Sequence, residues 1–232
     1  MTLAWIAHLY TALGVICALA ATLAVIQSDY RAAFLWLGLQ IFIDATDGAL
    51  ARALKVKERL PQFDGARLDD IIDYLTYVFV PVLLTVHAGM IPTTVSGLAV
   101  ASAVLLSSAY GFSQTAAKVK ATDYFFTGFP SYWNLVILYL HLLDFSQSAN
   151  MFVLLVFAVL VFVPLRYVYP SRTETLRGLT TILAFAWSSL LLWLTWRLPD
   201  KPTTWIMVSL MFPVYYGVLS LWLDQRSRRV NA

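Results

Sequence analysis

The sequence predicts an all-α protein, a polytopic integral-membrane helical bundle with about eight transmembrane helices. Three observations lead there. The 232 residues are 60% hydrophobic and only 12% charged, about half the charge of an ordinary soluble domain. Mean hydropathy is +0.73. The apolar runs reach the roughly 20 residues that a helix needs to cross a hydrocarbon core of about 30 Å. Together they exclude a disordered chain, a nucleic-acid binder resting on a basic face, and most soluble enzymes; membrane lipids are expected partners and nucleic acid is not. The single cysteine, Cys17, lies inside an apolar run, so no disulfide framework or thiolate metal site is expected.

Each expected span is bounded by turn chemistry. Ala7–Ile26 holds no Asp, Glu, Lys or Arg and stops at Ser28-Asp29. Ala32–Leu54 follows and carries Asp44, Asp47 and Arg52. Ala66–His87 begins after a charged connection and ends before Ile91-Pro92, where Thr93–Phe112 starts. Pro130–Leu143, fourteen residues long, follows the Gly128-Phe129-Pro130 turn. Ala149–Tyr169 follows Ser146-Gln147-Ser148, Leu176–Leu198 follows Pro170-Ser171, and Thr203–Leu223 follows Pro199-Asp200. No repeat or linker divides the chain, so residues 1–232 read as a single membrane-embedded domain.

Basic residues orient these spans. With eight spans and a cytoplasmic N-terminus, thirteen of the 16 Lys and Arg fall in inner loops and tails, from Arg52 to Arg229, and only Arg31, Arg197 and Lys201 fall outside. Deleting the fifth span would place the Arg166–Arg177 cluster outside. Eight spans fit the asymmetry.

Function shows in the acidic residues. Seven of the thirteen Asp and Glu lie between Asp44 and Asp73, and carboxylates within a membrane helix cost about 2.5–3.5 kcal/mol each at mid-depth on insertion scales. At about 100° per residue, Asp44, Asp47 and Ala51 share one helix face with Gly48 beside them, while Gly65, Asp69 and Asp73 make a stripe on the next helix. The short connection from Arg52 to Gly65 makes the two helices antiparallel neighbours, with both stripes at the same cytoplasmic depth. Facing carboxylates repel unless divalent cations neutralise them, and hard oxygen ligands select Mg²⁺ or Mn²⁺. Gly48, Ala51 and Gly65 leave room for a phosphate-bearing substrate, and Arg52 offers a planar fork for a phosphate or carboxylate. A divalent-cation transporter would also explain the acidic pairs, but not the glycines, Ala51 and Arg52.

The stretch Asp44-x-x-Asp47-Gly48-x-x-Ala51-Arg52, followed after twelve residues by Gly65-x-x-x-Asp69-x-x-x-Asp73, resembles the signature of the CDP-alcohol phosphatidyltransferases at all eight motif positions. The spacer is longer than is usual in that family and is similar to the variant of the bacterial phosphatidylcholine synthases. The segments Phe126–Asn134 and Arg166–Arg172, and two spans beyond the family's six-helix core, also resemble that branch. The resemblance implies transfer of the phosphatidyl group from CDP-diacylglycerol to choline, giving phosphatidylcholine and CMP, in a bacterial inner membrane with the site facing the cytoplasm. It implies that Asp44, Asp47, Asp69 and Asp73 bind Mn²⁺ or Mg²⁺ as two ions, that Asp73 is also the catalytic base, and that Asp47, Gly48, Ala51, Arg52 and Gly65 receive the CDP moiety. A homodimer is a further implication. The same transfer to serine, inositol phosphate or glycerol phosphate is the nearest alternative.

A quaternary ammonium has no N–H to donate and is held by aromatic faces. On the cytoplasmic side Tyr132, Trp133, Tyr167 and Tyr169 are the choline candidates, with Tyr132 and Trp133 favoured because they follow the Gly128–Pro130 turn; interfacial belts also concentrate such residues. Arg166 and Arg172 are candidates for the lipid phosphate. His8, His87 and His141 lack ligand spacing and are expected to be structural, and Thr11 is expected to face the nucleotide.

Overall fold

A computed structural model describes residues 2–114, 125–164, 166–168 and 176–230. Helix α1 (Thr2–Ile26) is followed by α2 (Tyr30–Ala53), the single turn α3 (Val56–Arg59) and α4 (Gly65–Asp73). A π-helical segment, Tyr74–Phe79, joins α4 to α5 (Val80–His87), so Gly65–His87 is one continuous rod. Then come α6 (Val95–Ser113), β1 (Phe125–Thr127), α7 (Trp133–Leu143), α8 (Gln147–Leu160), β2 (Arg166–Val168), α9 (Arg177–Arg197) and α10 (Thr203–Val230).

The protein is a helical membrane protein in which, among the described residues, six helices are long and apolar enough to cross a bilayer: α1, α2, the α4–α5 rod, α6, α9 and α10. The expected fifth and sixth spans are shorter, at 11 and 14 residues. The sixth, expected to run to Tyr169, ends at Leu160. Pro164 disfavours helix in the residue before it and has no N–H to continue the ladder. Beyond it β2 pairs antiparallel with β1, Phe126 opposite Tyr167.

That pairing ties the entrance of α7 to the exit of α8. At the far end of the α7–α8 hairpin, Gln147 Nε2 donates to the Gly89 carbonyl at 2.9 Å and Asn150 Nδ2 to the Met90 carbonyl at 2.8 Å, just ahead of α6. At the near end the Phe129 N–H bonds the Leu160 carbonyl at 3.0 Å, and a Cβ on Gly111, near the end of α6, would lie 3.1 Å from Val161 Cγ1. The hairpin therefore covers nearly the length of α6.

Helix α1 is the keel of the first half. Ala4, Ala7, Thr11, Gly14, Ala18, Ala21 and Val25 recur at alternating intervals of three and four and are all buried. Small residues at that spacing let helices approach closely in lipid, where packing rather than water drives association. A Cβ on Gly14 would overlap the Gln40 amide of α2 and come 2.5 Å from Ile72 Cγ2 of α4. Thus α1 locks α2 against the α4–α5 rod, and local caps set where each begins: Asp29 accepts the Ala32 N–H at 2.9 Å and Asp64 the Arg67 N–H at 3.0 Å.

Candidate metal and transfer site

Because α2 and α4 run antiparallel across the short α3 connection, the two acidic stripes meet. Asp44 and Asp47 of α2 and Asp69 of α4 each offer a carboxylate oxygen, and these oxygens lie within 4.8 Å of one another. Asp47 is 8% exposed and accepts a 2.7 Å hydrogen bond from Thr11 Oγ1 of α1. Thr11 thus orients a carboxylate instead of standing open to a nucleotide. Asp44 accepts a 2.8 Å bond from the Tyr77 hydroxyl.

Asp73, one turn beyond Asp69, lies outside the group of three. It is close enough to Asp44 and Asp69 for their charges to interact, and its Oδ1 is buried with no hydrogen-bond partner. An open carboxylate oxygen away from water is costly unless something fills it. The donor set, all hard oxygen and all anionic, fits Mg²⁺ or Mn²⁺.

The small motif residues do not all border this space. A Cβ on Gly48 would meet only Arg52 Nη1, at 3.2 Å, so its surroundings are otherwise open. On Gly65 a Cβ would come 2.6 Å from His8 Cε1, so the space left by its missing side chain lies against an imidazole of α1. His8 in turn packs 4.4 Å from the Phe63 ring, in keeping with its expected structural role. Ala51 packs on the buried cluster of Ala4, Ala7, Val56 and Leu60, while Arg52 is exposed.

The two favoured aromatics separate. Tyr132 is 38% exposed, and its ring centroid is 5.5 Å from that of Tyr77, which places it beside the acidic cluster. Trp133 is 0% exposed; its indole Nε1 donates to Ser108 Oγ at 2.7 Å and its ring packs on Phe129 and Phe157. A fully enclosed ring has no face to offer a cation. Arg166 and Tyr167 lie on β2, where the backbone alone is described, and Tyr169 and Arg172 fall outside the described residues. Tyr77 is the site residue that sequence reasoning missed. The available signal was its position four residues after Asp73, continuing the Asp69–Asp73 stripe.

No family model matches the chain. Individual relatives do. It is 39% identical to the phosphatidylcholine synthase of Pseudomonas aeruginosa over 96% of this chain and 92% of that one. Against the phosphatidylcholine synthase of Legionella pneumophila the identity is 37%, covering 94% and 88%. Against that of Borreliella burgdorferi it is 32%, covering 98% and 97%. With relatives this similar matched over nearly their full lengths, the chain belongs to the phosphatidylcholine synthases and is a transferase.

Proposed function

We propose that the protein transfers the phosphatidyl group of CDP-diacylglycerol to choline, releasing CMP, with Mn²⁺ or Mg²⁺, as two ions, held by Asp44, Asp47, Asp69 and Asp73. The observation that carries the reading is the convergence of three carboxylates within 4.8 Å beside a buried, unpartnered Asp73 oxygen in a chain of this family. Divalent ions bound there supply charge neutralisation for the pyrophosphate and the departing CMP. The chain's own residues do the rest. Thr11 fixes Asp47, and Gly48, Ala51 and Arg52 on α2, with Gly65 at the start of α4, are the proposed contacts of the CDP moiety. Asp73 Oδ1 accepts the hydroxyl proton of choline as its oxygen attacks the phosphorus bearing the diacylglycerol. The bond from that phosphorus to the CMP oxygen breaks, and the new choline ester keeps the diacylglycerol. A positioned carboxylate in that role contributes roughly 10²–10⁴-fold.

Tyr132 is the proposed choline contact, because its exposed ring stands beside Tyr77, and Trp133 is the anchor that holds it there. Arg166 is a proposed lipid-phosphate contact: it opens β2, whose partner β1 leads into the Tyr132 turn. Arg172, Tyr167 and Tyr169 belong to the same segment of sequence and keep their proposed roles.

Eight crossings, the cytoplasmic placement of the site and the bacterial inner membrane are part of the same proposal. The α7–α8 hairpin reaching from Met90 to Gly111 supports two short crossings. The ends also differ in charge, with Arg52, Lys55, Lys57, Arg59 and Arg67 around the acidic end, whereas Arg31 and Lys201 line a cavity of about 500 Å³ at the opposite end.

An acceptor screen tests the proposal: CMP release from CDP-diacylglycerol and Mn²⁺ with choline, serine, inositol phosphate or glycerol phosphate. Release with choline alone is expected. Release with another alcohol alone would keep the transfer chemistry and overturn the acceptor.

A further inference from the structure

Helix Gly65–His87 changes its winding at one place, and that place touches the acidic cluster. After Asp73 the backbone passes through the π-helical segment Tyr74–Phe79, closed by the Val80 N–H bonding back to the Leu75 carbonyl five residues earlier. The cause is local. Pro81 has no N–H to give the Tyr77 carbonyl, and its ring crowds that same carbonyl in a regular α-helix. Relaxation into i→i+5 pairing removes the conflict. The consequence is directional. In an α-helix, with about 3.6 residues per turn, Tyr77 would overshoot Asp73 by about 40°. A wider turn advances less per residue, so Tyr77 drifts less from Asp73 than an α-helical turn would carry it. Its hydroxyl donates to Asp44 Oδ2 at 2.8 Å, across to α2, and its side chain is 4% exposed.

We propose that Tyr77 is a positioning residue for Asp44, and that Pro81 sets it in place by enforcing the π-helical turn. The inference rests on the metal reading above and adds a residue to it. The phenol bonds one carboxylate oxygen of Asp44, which fixes the rotamer of a carboxylate that converges with Asp47 and Asp69. Partners of this kind around ligating carboxylates are worth about 10–100-fold in metal affinity. The bond also spans α2 and the α4–α5 rod, so it sets the spacing of the two acidic stripes as well as one side chain.

Mn²⁺ binding to the full chain in nanodiscs, followed by loss of the free-ion EPR signal without substrates, tests this. Tyr77→Phe keeps the ring and deletes only the donor; Pro81→Ala keeps the helix and restores the N–H. Each is expected to raise the Mn²⁺ dissociation constant roughly tenfold, and the double variant to match either single one, because both remove the same bond. In activity assays the Mn²⁺ requirement should shift in parallel for both variants. Wild-type affinity in Tyr77→Phe, wild-type affinity in Pro81→Ala, or a double variant weakened by the product of the two effects would each overturn the proposal. Asp47→Asn separates the layers. If it abolishes Mn²⁺ binding while Tyr77→Phe does not weaken it, the positioning role alone fails. If the wild type itself binds no Mn²⁺, the metal reading fails first.

Discussion

The two halves of the bundle treat polar groups in the membrane differently. In α6–α10 hydroxyl, phenol and indole groups pair across helices, although Asn134 Nδ2 and Asn150 Oδ1 are buried without a partner. Ser131 and the Trp133 indole both bond Ser108, Tyr139 donates to Ser209 at 3.0 Å and accepts from the Trp187 indole at 2.9 Å, and Thr180 pairs with Tyr215 at 2.8 Å. In α1–α5 the carboxylates converge without neutralising one another, and Asp73 keeps an open buried oxygen. Closed pairs of small polar and aromatic groups fasten helices in lipid, whereas converging charges are costly and mark a place where something binds. On the proposed reading, the second half is a brace and the first half the reaction vessel.

Substitutions should split along that line. The largest effect is expected from Asp73→Asn, which should lower choline-dependent CMP release by about 10³-fold while leaving CDP-diacylglycerol binding measurable by equilibrium filtration. Normal turnover would remove the base. Next, Trp133→Ala should lower stability by about 3–5 kcal/mol, the scale for emptying a buried aromatic site, read as a drop in thermal midpoint. The choline KM of the surviving fold should stay within about twofold. Its neighbour Tyr132→Ala should do the reverse, raising the choline KM about tenfold, in line with the loss of one cation–π face, with an unchanged midpoint. Equal effects from both would erase the distinction between brace and vessel at the one turn where they meet. The smallest expected effect sharpens the packing of the first half. Gly65→Ala, pressed against His8, should cost about 1–3 kcal/mol by overpacking, and His8→Ala in the same chain should recover part of it.

The vessel was legible and the brace only partly so, for physical reasons. Charges in an apolar helix are rare enough that Asp44, Asp47, Asp69 and Asp73 stand out, and helical spacing alone brings them to facing stripes. The alternating small residues from Ala4 to Val25 are equally periodic, but alanines are common in any membrane helix, so their packing role shows only when Gln40 and Ile72 are seen against Gly14. The early end of α8 follows from Pro164, yet the apolar residues beyond Leu160 mask it, and the β1–β2 pairing joins segments about 40 residues apart that no local pattern links. Tyr77 was hidden for a subtler reason. Proline in an apolar run signals a perturbed helix, but whether that becomes a kink or a π-turn is decided by the neighbours. Trp133 and Tyr132 read alike in sequence, adjacent and aromatic; burial alone told them apart.

The central claim is that the facing carboxylates of α2 and α4 make choline-dependent transfer depend on a divalent cation. The most direct measurement is CMP release from CDP-diacylglycerol and choline by the purified full chain, first as isolated, then after EDTA, then after Mn²⁺ is restored. The account predicts release that EDTA abolishes and Mn²⁺ brings back, and no recovery in Asp47→Asn. Release that persists in EDTA, or that returns fully in Asp47→Asn, would contradict it.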